Sequence, residues 1–140
     1  QDATKTWPED IKEIDAIITS PPFFDSTRFY AANWMRLWFA GWDQAHFKTE
    51  PVNFIDELQK KDLSIYDGIF MQARERLKVG GVLVLHLGKN QKCDMATVLA
   101  ERAKQWFKVY DIFEESVEDG ESHGIKDRGG VTKHQYLILT

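Results

Sequence analysis

The spacing of apolar residues changes from segment to segment along this chain, and each spacing predicts an element. Ile14-Asp15-Ala16-Ile17-Ile18-Thr19 is short, β-branched and apolar at nearly every position, the pattern of a parallel-type strand covered on both faces. Residues 64–77 set Ile65, Ile69, Phe70, Ala73 and Leu77 on one helical stripe, with Gly80 close behind as a stop signal. Val82 to Leu87 is again a continuous apolar run. Residues 94–107 read as a helix with Asp94 as N-cap and Met95, Val98, Leu99, Ala103 and Trp106 on the buried side. Residues 109–117 and 134–140 then read as two strands with no helix between them, which predicts an antiparallel hairpin. The fold class is therefore α/β.

Two stretches fall outside this alternation. Residues 24–62 form an insertion in which 33–42 reads as a short helix, with Trp34, Leu37, Trp38 and Trp42 on one side and 49–53 as a loop broken by Pro51. A ring stripe of this kind is more often core or interface than a recognition surface. Asp25 reads as a solvated turn residue. Residues 118–133 are long, polar and glycine-rich, the composition of a mobile loop or lid. Arg28 and Arg36 in the insertion and Lys126, Arg128 and Lys133 in the long loop are cations that could touch phosphates.

The chemistry concentrates where the first strand ends. Ser20-Pro21-Pro22-Phe23 follows directly on Thr19. Two prolines cannot extend a ladder, and Pro22 pushes Pro21 toward an extended backbone. The segment thus leaves the carboxyl end of a strand, where open α/β sheets bind ligands, with little freedom. A fixed proline carbonyl and the Ser20 hydroxyl are two acceptors for one amine. Phe23 offers a flat face, and ring–base stacking is worth roughly 1–3 kcal/mol. The plainer alternative is a strand stop with a buried ring.

Thr19-Ser20-Pro21-Pro22-Phe23 resembles the [S/D/N]-P-P-[Y/F/W] motif of S-adenosylmethionine-dependent amino-methyltransferases, which methylate N6 of adenine or N4 of cytosine in DNA. The resemblance implies that Ser20 and the Pro21 carbonyl hold and polarise the target amine, with Pro22 fixing the turn and Phe23 stacking on a base extruded from the duplex. Serine in first place leans toward cytosine N4. Leu77-Lys78-Val79-Gly80-Gly81 resembles the family's L-K-P-G-G turn into the fifth strand, with Val79 in place of proline. Asp2-Ala3 resembles the cofactor-contacting element at the end of the third strand, with Gln1 where glycine is usual, and His134 to Leu139 resembles the last strand. The implied fold is part of a class I, Rossmann-like sheet, mostly parallel with a C-terminal antiparallel hairpin, and the implied cofactor is S-adenosylmethionine.

One expected part is missing. The family cradles the methionine half of the cofactor on a turn of the F-x-G-x-G type, whereas the first glycine here is Gly41 and neither Gly80-Gly81 nor Gly129-Gly130 has that pattern. The 140 residues thus read as a portion of a methyltransferase domain, completed by an upstream or downstream segment or by a complementary subunit. RNA or tRNA guanine-N2 methylation and a truncated, non-catalytic assembly subunit are the alternatives. The net charge of −4 does not favour nucleic acid as a partner. No apolar run is long enough for a bilayer, and a single cysteine, Cys93, fits a reducing cytoplasm. His46, His86, His123 and His134 lack metal-ligand spacing, and no nucleophile-and-base arrangement is legible.

Overall fold

The computed structural model describes residues 3–26, 28–117 and 130–140. Four strands, β1 (Ile14–Thr19), β2 (Leu77–Asn90), β3 (Val109–Ser116) and β4 (Val131–Leu139), form one sheet in the order β1-β2-β4-β3. Among the described residues six α-helices connect them: α1 (Phe29–Ala32), α2 (Trp34–Phe39), α3 (Gln44–Thr49) and α4 (Ile55–Leu58) in the segment expected as an insertion, then α5 (Ile65–Arg76) and α6 (Met95–Ala103).

The class is α/β and the antiparallel β3–β4 pair forms, but the expected mostly parallel sheet does not. Only β1 and β2 run parallel, while β4 pairs antiparallel with both β2 and β3. The physical reason is connectivity. The long helical excursion between β1 and β2 permits a parallel return, whereas β3 and β4 follow one another with no described helix between them.

Both long helices pack on one face. Leu83, Leu85 and Leu87 of β2 and Leu137 and Leu139 of β4 project to the same side, and there join Tyr66, Ile69, Phe70 and Ala73 of α5 and Met95, Leu99 and Ala103 of α6 in one core. Arg102 bridges the two helices by a two-pronged pair to Asp67, at 2.8 and 2.6 Å. Asp94 caps α6 as its sequence predicts, accepting from Thr97 N at 3.1 Å. Burial raises its pKa, but hydrogen bonds from Lys89, Gln135 and Thr97 outweigh this and hold it at about 2. Val98, expected on the buried side, is instead 39% exposed.

Three local expectations shift. Gly80 does not end a helix, because α5 already stops at Arg76 and Leu77 is extended. Instead Ile14 pairs with Leu77 and Ala16 with Val82, so residues 78–81 bulge out of the ladder. Gly80 turns there with φ +79°, and a Cβ on Gly81 would press on Ile14 O at 3.1 Å. In the insertion, α2 ends at Phe39 and Gly41, at φ +94°, swings Trp42 away from the expected stripe. Trp42 joins Phe47 and Phe54, while Trp34 and Trp38 stay 55% and 58% exposed, so the stripe is not core. Residues 50–53 form a 3-10 turn on Pro51 rather than a loop.

The first strand is also less covered than its composition predicts. It is an edge strand of the sheet, and Ile18 is 76% exposed. No described helix is long and apolar enough to cross a membrane.

Candidate active site

The Ser20–Phe23 turn leaves the carboxyl end of β1, beside the middle of β2. Because Thr19 pairs with Leu85, Ser20 stands level with His86. The register between β2 and β4 then places His86 opposite Tyr136, with His134 one row further on, opposite Gly88. Three segments far apart in sequence thereby deliver Ser20, His86, His134 and Tyr136 to one spot.

Side-chain geometry at this spot is continuous. Ser20 Oγ lies 3.2 Å from His86 Nδ1, and His86 Nε2 lies 3.0 Å from His134 Nδ1. Tyr136 stacks on the His86 ring at 4.9 Å between centroids and 16° between planes, and its hydroxyl donates to Glu115 Oε2 at 3.1 Å. Burial, and then the proximity of His134, push the His86 pKa below its ordinary value, with Glu115 acting weakly in the opposite sense. A hydroxyl and an imidazole that no sequence pattern links thus come within hydrogen-bond distance. Register across the sheet, which single-strand patterns do not encode, creates the pairing.

The turn itself is held from behind. Gln59, 1% exposed at the end of α4, donates through Nε2 to the carbonyls of Pro22 at 3.1 Å and Phe23 at 3.3 Å, and its Oε1 accepts from the buried Tyr66 hydroxyl at 2.9 Å. Asn90 donates to the Phe24 carbonyl at 2.6 Å, and Ser26 Oγ to that of Phe23 at 2.9 Å. Nothing among the described residues donates to the Pro21 carbonyl. The insertion therefore supplies the clamp of the motif, a role that no spacing signal at Gln59 announces.

Phe23 is half-buried, not splayed into solvent. Its ring meets His86 edge-on at 5.2 Å and His134 at 5.7 Å. It also lies on Gly88, where an added Cβ would stand 2.7 Å from Phe23 Cγ and Cδ2. Only glycine admits the ring there, so Gly88 is a further site residue the sequence pattern missed.

Of the expected cofactor residues, Ala3 does reach the motif. It lines with Pro22, Phe29, Asn53, Phe54, Ile55 and Asp56 an open hollow of about 500 Å³. Phe29 and Phe54 meet edge to face at 5.7 Å beside it, and Asp56, 4% exposed, accepts from Phe29 N at 2.8 Å. Asp2 lies outside the described residues, as do Lys126, Arg128, His123 and the rest of 118–129; the end of the expected 118–133 loop is instead strand, since β4 begins at Val131, and there Lys133 pairs with Glu114 at 2.6 Å. Asp25 is not simply a solvated turn residue: it adopts φ +52° and pairs with Lys92, which lowers its pKa.

The structure does not bring Arg28 to the Ser20 site as a free cation. Its guanidinium donates to Tyr30 at 3.2 Å and lies 3.6 Å from Glu57, on the surface of the insertion. Among the described residues no three His, Cys, Asp or Glu side chains converge as metal ligands.

No protein-family model matches this chain, and neither does any curated protein.

Proposed function

We propose that this chain carries the target-amine side of a methyltransferase centre, which transfers the methyl group of S-adenosylmethionine to an exocyclic amine of a DNA base, cytosine N4 ahead of adenine N6. The single observation behind this reading is the pair of acceptors at the end of β1. The Ser20 hydroxyl is exposed and the Pro21 carbonyl has no donor among the described residues, while Gln59 occupies the next carbonyl and fixes the turn. Two rigid acceptors hold an amine with its lone pair directed away from both, toward an incoming methyl group. Orientation of this kind contributes heavily to group transfer.

The hollow shared by Ala3 and Pro22 suits the adenine end of the cofactor. Phe29 and Phe54 flank it, and Asn53 and Asp56 supply polar edges. On this reading the methionine end is held by a further segment or by a partner. When bound, the cofactor supplies an electrophilic methyl group; the chain's own residues place the nucleophile.

The reading is tested by methyl transfer from labelled S-adenosylmethionine to cytosine-, adenine- and guanine-containing DNA and RNA oligonucleotides. Ser20→Ala is expected to lower turnover on the order of 10²-fold, and Phe23→Ala to weaken base engagement by roughly 1–3 kcal/mol. Undiminished transfer by Ser20→Ala overturns the assigned roles, and transfer confined to guanine in RNA moves the substrate to tRNA-like targets. A non-catalytic assembly subunit is the second reading, favoured by the exposed rings of Trp34, Trp38 and Phe39. It predicts no cofactor binding in any context.

A further inference from the structure

The methylated amine leaves the transfer step as a cation and must lose a proton. Ser20 has no basicity of its own to take it, yet its hydroxyl sits on an imidazole. The two contacts, Ser20 Oγ to His86 Nδ1 at 3.2 Å and His86 Nε2 to His134 Nδ1 at 3.0 Å, form an unbroken chain running from the acceptor site along the sheet surface. Two sets of tautomers satisfy both contacts, and one of them leaves Ser20 as the donor. In that set the Ser20 O–H donates to His86 Nδ1, the His86 Nε2–H donates to His134 Nδ1, and the His134 Nε2–H points outward. Ser20 Oγ keeps its lone pairs for the amine.

Resting on the methyltransferase reading, we propose that His86 and His134 are the proton exit behind Ser20. The N–H bond of the cationic methylated amine breaks, leaving its electron pair on nitrogen, as that proton binds Ser20 Oγ and the original hydroxyl proton moves to His86 Nδ1. The doubly protonated His86 passes its Nε2 proton to His134 and so to solvent, and exchange with water restores the starting tautomers. No oxidant or reductant enters. His86 acts through Ser20 and is a positioning residue and proton acceptor, not a group touching the base.

The surroundings fit that task. The titratable groups that face His86 among the described residues are His134 and Tyr136 of β4 and Glu115 of β3. The Tyr136 ring stacked at 4.9 Å and the Phe23 edge at 5.2 Å fix the plane of the imidazole, which keeps both nitrogens in line. Burial and the second imidazole disfavour a standing charge on His86, so it rests neutral near pH 7 and ready to accept.

Imidazole nitrogen NMR across a pH titration tests the chain directly, without reference to activity. Ser20→Ala is expected to move the His86 Nδ1 resonance, and His134→Gln to raise the His86 titration toward the ordinary histidine value. In a preparation competent for methyl transfer, kcat falls tenfold per pH unit below the His86 titration, and His86→Gln removes that limb while oligonucleotide binding stays unchanged. If His86 titrates identically in the wild type and in both variants, the relay is wrong and the methyltransferase reading survives. If Ser20→Ala and His134→Gln both shift the His86 titration but no nucleobase is methylated, the functional reading fails and the relay loses its proton source with it.

Discussion

The two faces of this sheet are made from alternate residues of the same strands and end in opposite states. One face carries Leu83, Leu85, Leu87, Leu137 and Leu139, each 1% exposed or less, under α5 and α6. The other carries Ile18, Val84, His86, Phe113, Tyr136 and Ile138, of which none is buried. Period-two alternation makes the division automatic, and the residue types do not. Ile18 and Val84 are as apolar as the leucines opposite them. Among the described residues, exposure on the second face is thus set by α5 and α6, which dock on the first. The difference teaches where stability and chemistry reside: the covered face holds the fold together, and the open face presents the histidines and the motif turn.

Substitutions on the two faces sharpen that division. The largest effect belongs to the covered face. Phe70→Ala, at a fully buried ring between α5 and α6, is expected to cost about 3–5 kcal/mol in denaturant unfolding. Next is Gly88→Ala, at the one point where the motif turn itself covers the open face. The new methyl group collides with Phe23, so a loss of about 1–3 kcal/mol is expected, together with altered ring contacts between Phe23 and both histidines by NMR. The smallest effect is expected at Ile18→Thr, 76% exposed on the edge strand, within about 0.5 kcal/mol. A cost at Ile18 comparable to that at Phe70 would show that something else covers this face in solution and break the comparison.

Much of the architecture is legible in the linear pattern, because local spacing carries it. Of the expected stripe, Ile69, Phe70, Ala73 and Leu77 are buried and Ile65 partly so, Asp94 caps α6, and the consecutive strands pair antiparallel. The turn Ser20–Phe23 is likewise legible, since two prolines after a β-branched run leave the backbone few alternatives. Expectations failed where partners at long range decide. Composition alone marks Ile14–Thr19 as a strand covered on both faces, but its place at the sheet edge leaves Ile18 bare. Gly80 reads as a helix stop, yet the mismatch between Ile14–Leu77 and Ala16–Val82 pairing makes it a bulge.

What this sequence determines by itself is the set of elements and the rigid acceptor turn at the end of β1, because proline geometry and hydrophobic period act within a few residues. What only the tertiary structure decides is the company that turn keeps. Gln59 reaches it from 37 positions along the chain, His86 from 66, and His134 through a further strand. Those contacts depend on strand order and register, which arise when α5 and α6 bury one face and so fix which side chains turn to the other.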